Sequence, residues 1–208
     1  RPYPHGKRRH SDPVGMTSGQ PPHDRQTQSN LFVYNGGFLT QRRVRRILQC
    51  AGYKLRLGLP GSGDLVGVWG NSRTAYRGRK IAHNRDVPLL QVEDAFLRSV
   101  HPGRAGEPPM GLLLDRSGLH FDAARPSDLE QILLRAPLDD TALLDRARGA
   151  MARIQEHHLS KYNNHDPDLP PPDPGYVLVL DQVRNDASVM ASRGDDALFR
   201  EMLVFAQE

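Results

Sequence analysis

The stretch NLFVYNGGFLTQRRVRRILQCAGYKLRLGLPGSGDLVGVWG, Asn30 to Gly70, decides the fold class. Leu31 to Asn35 is short, apolar and closed by Gly36-Gly37, which reads as a buried strand running into a loop. A helix follows: Thr40 is placed to cap it, Val44, Ile47, Leu48 and Ala51 recur at helical spacing, and Gly52 stands at C′. Tyr53–Leu57 and Leu65–Trp69 are strands separated by the turn-rich GLPGSGD. The alternation continues with a helix near Thr74–Asn84 and the strand Leu89–Val92. Strands that alternate with helices predict an α/β fold with a largely parallel, Rossmann-like sheet covered on its faces.

Downstream the pattern loosens. Glu93 to Met110 is a long loop rich in Gly and Pro, and long loops at the carboxyl ends of parallel strands line ligand crevices. Leu112–Asp115 and Leu119–Phe121, joined through Ser117-Gly118, read as a hairpin. Ser127 and Glu130 have capping-box spacing and open a helix to about Arg135. A longer amphipathic helix spans Asp139 to His157, with Leu143, Leu144, Ala147, Met151 and Ile154 expected inward. DPDLPPPDPG, Asp166 to Gly175, is a stiff linker. Beyond it, Tyr176–Leu180 predicts a new strand and Asp195–Gln207 a new helix, the first β-α unit of a second domain. The expected organisation is a disordered segment over 1–28, one domain over 29–165, a linker over 166–175 and the opening of another domain over 176–208. Met16 is a possible native start.

Composition restricts the function classes. With 208 residues, 25% charged and 38% hydrophobic, the chain can build one core and part of another. No apolar run, including Gly111–Leu114, approaches the ~20 residues of a membrane-spanning helix, and RPYPHGKRRH is followed by no apolar region of the secretory kind. The single cysteine, Cys50, allows no internal disulfide, fits a reducing cytoplasmic setting and is placed on the apolar side of its helix as a structural thiol. A net charge of +4 owes much to arginine, including Arg42, Arg43, Arg45 and Arg46 in one helical turn. Nucleic acid is a weak candidate, because no aromatic ladder or groove-reading motif accompanies the charge. GLPGSGDLVG runs into a strand rather than a helix N-terminus, so no cofactor loop is expected. The nine histidines lack ligand spacing, and no metal is expected either.

Four strings, VEDAFLRSVHPG (Val92–Gly103), GLHFDAARPSDLE (Gly118–Glu130), LSKYN (Leu159–Asn163) and VLVLDQVRNDAS (Val177–Ser188), occur in an order and spacing that resembles the capsule polysaccharide synthesis family of KpsC-type β-Kdo transferases. With the opening LFVYNGGFLTQRRVRRIL and VGVWG, the likeness runs from about Asn30 to Glu208. The resemblance implies the N-terminal module of a retaining glycosyltransferase of the GT-B arrangement, two Rossmann-like domains facing a cleft, with the second domain incomplete here. It further implies the donor CMP-Kdo, a Kdo-primed lysophospholipid acceptor, a cytoplasmic place on the anionic inner-membrane surface, and other capsule synthesis and export proteins as partners. The 208-residue piece is expected to be inactive alone, and a non-catalytic glycan- or partner-binding remnant is the alternative. EDAF and SVHPG depart from the commoner family strings, a glycine after the acidic pair and an SVGLG-like segment, without removing an acid.

Specific roles combine position with this resemblance. Glu93, at a strand's carboxyl end, is assigned as general acid/base facing the crevice, and Asp94 as a cap for loop N–H groups. Arg98 either grips a sugar carboxylate or pairs with Glu93. By its place in QxxxDxS, Asp186 is assigned as the nucleophile of a double displacement, its competing role being to cap a helix with Ser188. Gln182 and Ser188 are expected beside the substrate, with Asp181 supporting. Ser160, Lys161, Tyr162 and Asn163 are expected at the cleft: Lys161 on an anionic group, Tyr162 under a sugar ring or packed on the domain. Asp122, Arg125 and Ser127 read as structural.

Overall fold

The structure, a computed structural model, describes residues 28–170, 172–184 and 186–208. The expected disorder of the first 28 residues and the possible start at Met16 therefore fall, apart from Gln28, outside the described residues. A five-stranded sheet in the order β2-β1-β3-β4-β5 organises the chain. Its strands are β1 (Ser29–Val33), β2 (Tyr53–Arg56), β3 (Leu65–Trp69), β4 (Leu89–Asp94) and β5 (Leu112–Asp115). The first four are parallel, with Leu31 beside both Leu55 and Leu65, and Val68 beside Gln91. The α/β expectation holds.

Each face carries its own core. On one, Leu31, Val33, Leu65, Leu90 and Val92 pack with Phe38 of α1 (Gly36–Thr40) and with Val44 and Leu48 of α2 (Arg42–Cys50). On the other, Val66 and Val68 meet Ala75 and Ala82 of α3 (Ala75–Arg85), and Val87. Burial on both faces is why β3 reads as an unbroken apolar run rather than an alternation. Gly78 lets α3 lie close, since a Cβ there would stand 2.6 Å from Val68 Cγ1.

Local chemistry departs from the sequence reading in several places. The first helical segment is split: Asn35 caps α1, its Oδ1 accepting from Gly37 N at 2.9 Å, while Thr40 closes α1 instead of opening a helix. Cys50 is exposed rather than packed, because the buried stripe of α2 is Val44 and Leu48 and the helix turns its last residue away.

The expected hairpin is absent. β5 pairs antiparallel with β4, Leu113 opposite Glu93, and residues 119–121 form no strand. The buried carboxylate of Asp115 explains this, accepting from Ser117 N, Gly118 N and Asp128 N at 2.8 Å each. Those bonds turn the chain off the sheet edge into α4 (Asp128–Arg135), whose Ser127–Glu130 capping box is present as the sequence predicts. α5 (Thr141–Glu156) keeps Leu143, Ala147 and Met151 exposed, with Leu144 and Ile154 half-buried; no described element covers the face expected to point inward. Residues 176–180 form no strand, since a strand is defined by a paired neighbour and none of the described segments supplies one. Two short helices follow, α6 (Ala187–Ala191) and α7 (Asp196–Phe205).

Candidate active site at the carboxyl edge of the sheet

Parallel strands deliver their carboxyl ends to one edge, and β4 brings Glu93 and Asp94 there. Strand periodicity sets Leu90 and Val92 into the α1–α2 core and turns Gln91 and Glu93 to the opposite face. The next strand makes room for the Glu93 side chain. Gly70, just past β3, has φ +38, and a Cβ on it would overlap Glu93 Oε1 and lie 2.7 Å from Cδ. Its N–H donates to Val92 O at 3.0 Å, and its carbonyl accepts from Arg79 at 2.9 Å, so this backbone is pinned.

Asp94 and Arg98 are not used as expected. Arg98 is 6% exposed, and its Nε lies 2.8 Å from Asp94 Oδ2. The approach is off the N–H direction, leaving an ion pair without a directed hydrogen bond. Arg98 Nη1 donates to Ser99 Oγ at 2.8 Å and to Glu107 O at 2.9 Å, and a Cβ on Gly103 would overlap the guanidinium. Arg98 thus pairs with Asp94 rather than with Glu93, and its Nη1 is engaged inside the loop. Asp94 takes that arginine instead of capping loop N–H groups.

The LSKYN segment is stitched onto this loop. Tyr162 bridges to Ser99 in parallel fashion. Arg98 N donates to Lys161 O at 3.1 Å, and Asn163 N to Val100 O at 2.9 Å. Asn163 Nδ2 donates to Ser99 O (3.2 Å) and Ser160 O (2.9 Å), and its Oδ1 accepts from Ser160 N at 2.8 Å. The Ser160 hydroxyl donates to Tyr162 O. Ser160 and Asn163 therefore hold the segment in shape. Their work leaves Lys161 exposed above the half-buried Tyr162 ring, 5.7 Å from its centre.

The Lys161 charge acts on three ionisable groups here. Burial pushes the Glu93 carboxyl above its ordinary range; Asp94 N–H and the Lys161 ammonium oppose this, while the charges of Asp94 and Asp186 add to it. Asp186 is held below its ordinary value, first by the Ser188 hydroxyl and backbone N–H, with Lys161 assisting against desolvation. His120 is lowered by burial and by Lys161, against Asp115. Its ring sits edge-on to Phe96 and Phe121, at 5.3 and 5.2 Å. Lys161 is thus the shared neighbour of Glu93, Asp186 and His120.

Asp186 does adopt its competing role as N-cap of α6, but through one oxygen: Oδ1 accepts from Ser188 N at 2.8 Å and Ser188 Oγ at 2.6 Å. Ser188 is engaged with the Asp186 carboxylate. Gln182 and Asp181 line a groove against α7 that includes none of the four charged groups. His120 is the residue the sequence reading missed. It lies within GLHFDAARPSDLE between Leu119 and Phe121, a histidine in an aromatic setting at the loop's far wall. Among the described residues, no three His, Cys, Asp or Glu side chains gather as a metal would require.

Comparison with known proteins bears on this edge. Residues 64–171 match the family described as capsule polysaccharide biosynthesis protein, a span containing Glu93, His120 and Lys161. The chain is 38% identical over 146 residues to the capsule polysaccharide modification protein LipA of Neisseria meningitidis serogroup B, covering 67% of this chain and 21% of that protein. It is 41% identical over 117 residues to the lipopolysaccharide-processing protein LpsZ of Rhizobium meliloti, covering 54% and 27%. Among solved structures, Thermosulfurimonas dismutans KpsC, beta Kdo 2,4 transferase, superposes with a TM-score of 0.74 at 30% identity, over 86% of this chain and 56% of that one. The chain therefore spans about a quarter of these curated relatives and about half of the solved structure. By family match and shared fold, it belongs to the capsule polysaccharide biosynthesis proteins of the KpsC type.

Proposed function

We propose that this chain supplies part of a retaining glycosyltransferase site that moves Kdo from CMP-Kdo onto a Kdo-primed acceptor on a lysophospholipid, in capsule polysaccharide synthesis. The carrying observation is that Glu93 and Asp186 share one electrostatic neighbourhood while their affinities for a proton move in opposite directions. A carboxylate whose proton affinity is raised is the better base for an acceptor hydroxyl, and one that stays ionised is a standing nucleophile; that is the division of labour two-carboxylate catalysis needs.

In the first step, an Asp186 oxygen attacks the anomeric carbon, and the bond to the cytidylate phosphate breaks with its electron pair leaving on phosphate. In the second, an acceptor hydroxyl attacks the same carbon, its proton passes to Glu93, and the bond to Asp186 breaks. Two inversions retain configuration. Helix capping by Asp186 is compatible, since only Oδ1 is engaged and Oδ2 has no partner among the described residues. Lys161 lies where it would neutralise an anionic sugar or phosphate. The GT-B arrangement, with this sheet as the acceptor side, 166–175 as linker and a nucleotide-binding domain opening at 176, belongs to the same proposal.

No helix among the described residues is long and apolar enough to cross a membrane. Membrane proximity is assigned to Arg42, Arg43, Arg45 and Arg46, exposed on α2 and without ion pairs among the described residues. Each contributes about 1 kcal/mol near an anionic surface.

The test is transfer by the protein encoded in the complete reading frame, given CMP-Kdo and a Kdo-primed acceptor. Glu93→Gln and Asp186→Asn should each lower turnover by roughly 10² or more. Wild-type rates in both variants would overturn the roles. Glycan binding without transfer by the complete protein would favour a non-catalytic binding domain.

A further inference from the structure

Lys161 acts on Glu93, Asp186 and His120, yet it follows α5 and belongs to none of the five strands. Tertiary bonds alone hold it at the carboxyl edge. Its carbonyl accepts from Arg98 N at 3.1 Å and from Ser99 N at 3.3 Å, both on the loop that leaves β4. Between β4 and β5 that loop forms one short helical turn, Gly103–Ala105, and otherwise folds around a single guanidinium.

The side chain of Arg98 reaches three parts of the loop at once. Its Nε lies against Asp94 at the end of β4, and its Nη1 donates to Ser99 Oγ and to Glu107 O. Both partners are themselves tied to His101: Ser99 Oγ donates to His101 O at 2.6 Å, and Glu107 Oε2 accepts from His101 N at 2.6 Å. The Arg98 carbonyl accepts from Met110 N at 2.7 Å, which returns the chain toward β5. Gly103 closes over the outside, where a Cβ would stand 2.4 Å from Nη2 and 2.9 Å from Cζ. Asp94 Oδ1 is buried without a hydrogen-bond partner, and among the described residues Arg98 is the cation that pairs with this carboxylate.

We propose that Arg98, anchored on Asp94, is a positioning residue: it holds the loop whose backbone carries the LSKYN segment and so sets where Lys161 stands at the carboxyl edge. A rigid, permanently charged fork can meet a carboxylate on one side and two loop acceptors on another. A lysine in its place would still neutralise Asp94, but one ammonium on a flexible stem does not fix Ser99 and Glu107 as well. A bare counter-ion role for Arg98 therefore predicts that lysine suffices, and a positioning role predicts that it does not. The consequence for catalysis rests on the transfer reading above; the placement of Lys161 does not.

The experiment uses the 208-residue chain and follows the His120 ring by NMR titration, since that ring responds to the Lys161 charge as well as to burial and Asp115. In the parent, Lys161→Met should raise the His120 midpoint. Arg98→Lys should also raise it while the chain stays folded, and Lys161→Met added to Arg98→Lys should then give less than about half of its parental shift. The full parental shift in that background would show that Lys161 is placed without the arginine, and overturns the proposal. Gly103→Ala is the second variant: it changes no charge, has no left-handed φ to strain, and presses on the guanidinium from outside. It should reproduce the reduced shift, and if Arg98→Lys does not fold it decides alone, a full shift again overturning the proposal. In the complete protein, Arg98→Lys should raise KM for the anionic donor about tenfold with a smaller change in kcat. A fall in kcat at unchanged KM would instead mark loss of folded enzyme and overturn the catalytic part. A complete parent protein that never transfers Kdo tells against the proposed function alone, because the NMR comparison needs no substrate.

Discussion

Gly70→Ala should damage this protein through Glu93, and the size of the effect follows from the geometry. The substitution keeps φ near +38, where a Cβ costs about 1–2 kcal/mol, and that Cβ would overlap the Glu93 carboxylate. The backbone cannot retreat, because Gly70 N is bonded to Val92 O and Gly70 O to Arg79. Glu93 must therefore leave its rotamer, at a further ~1 kcal/mol. The total is about 2–3 kcal/mol, or roughly 4–12 °C in melting temperature for a chain of this size. Chemical unfolding followed through Trp69, the single tryptophan and the immediate neighbour of Gly70, measures it. The diagnostic arm repeats the change in a Glu93→Ala background, where only the backbone part, about 1–2 kcal/mol, should remain. In the complete protein, Gly70→Ala should also reduce transfer about 10²-fold, the usual consequence of moving a reacting group by an ångström. An identical stability loss with and without the Glu93 side chain would refute the packing argument.

The remaining predictions concern charge and packing. Because burial raises the Glu93 pKa above its ordinary 4.5, the folded state holds this proton more tightly than the unfolded chain, and stability is lost as pH rises from about 4.5 through the raised value. Glu93→Gln escapes that loss, so its stability relative to the parent should improve from acid to neutral pH; a difference constant with pH would contradict the burial argument. Lys161→Met removes a charge that lowers both His120 and Glu93, so both should titrate higher, read by NMR of the histidine ring and the glutamate carboxyl. Unmoved midpoints would separate Lys161 from the cluster. Asp115→Ala strands three backbone N–H groups and should cost about 3 kcal/mol or more by denaturant titration. Gly78→Ala should destabilise by about 1–2 kcal/mol, its methyl pressed against Val68, while Gly149→Ala, with nothing within 4 Å, should stabilise by about 0.5–1 kcal/mol; equal signs would refute the close approach of α3.

The parts legible beforehand and the parts not differ in physical kind. Apolar runs closed by glycine marked β1, β3 and β4 because a parallel strand buried on both faces has no freedom to be polar. The Ser127–Glu130 box was readable because its bonds span one helical turn. The hairpin failed because Asp115 accepts from Asp128, thirteen residues away, a tertiary bond that outweighs local turn preference. Cys50 and the α5 face failed because periodicity names an apolar stripe without saying whether anything covers it. Strand 176–180 failed for the related reason that pairing takes two segments.

For the site, sequence position and family likeness singled out Glu93, Lys161 and Asp186, since carboxyl ends of parallel strands and a recurring order of polar strings are one-dimensional signals. Which of the neighbouring polar groups would be spent on the fold was decided only in three dimensions. Arg98 went to Asp94, Asn163 to the loop carbonyls and Gln182 to a different groove, while His120 came in from a string read as structural. A chain records which atoms can donate, accept or carry charge; burial and distance then choose their partners, and both belong to the folded molecule.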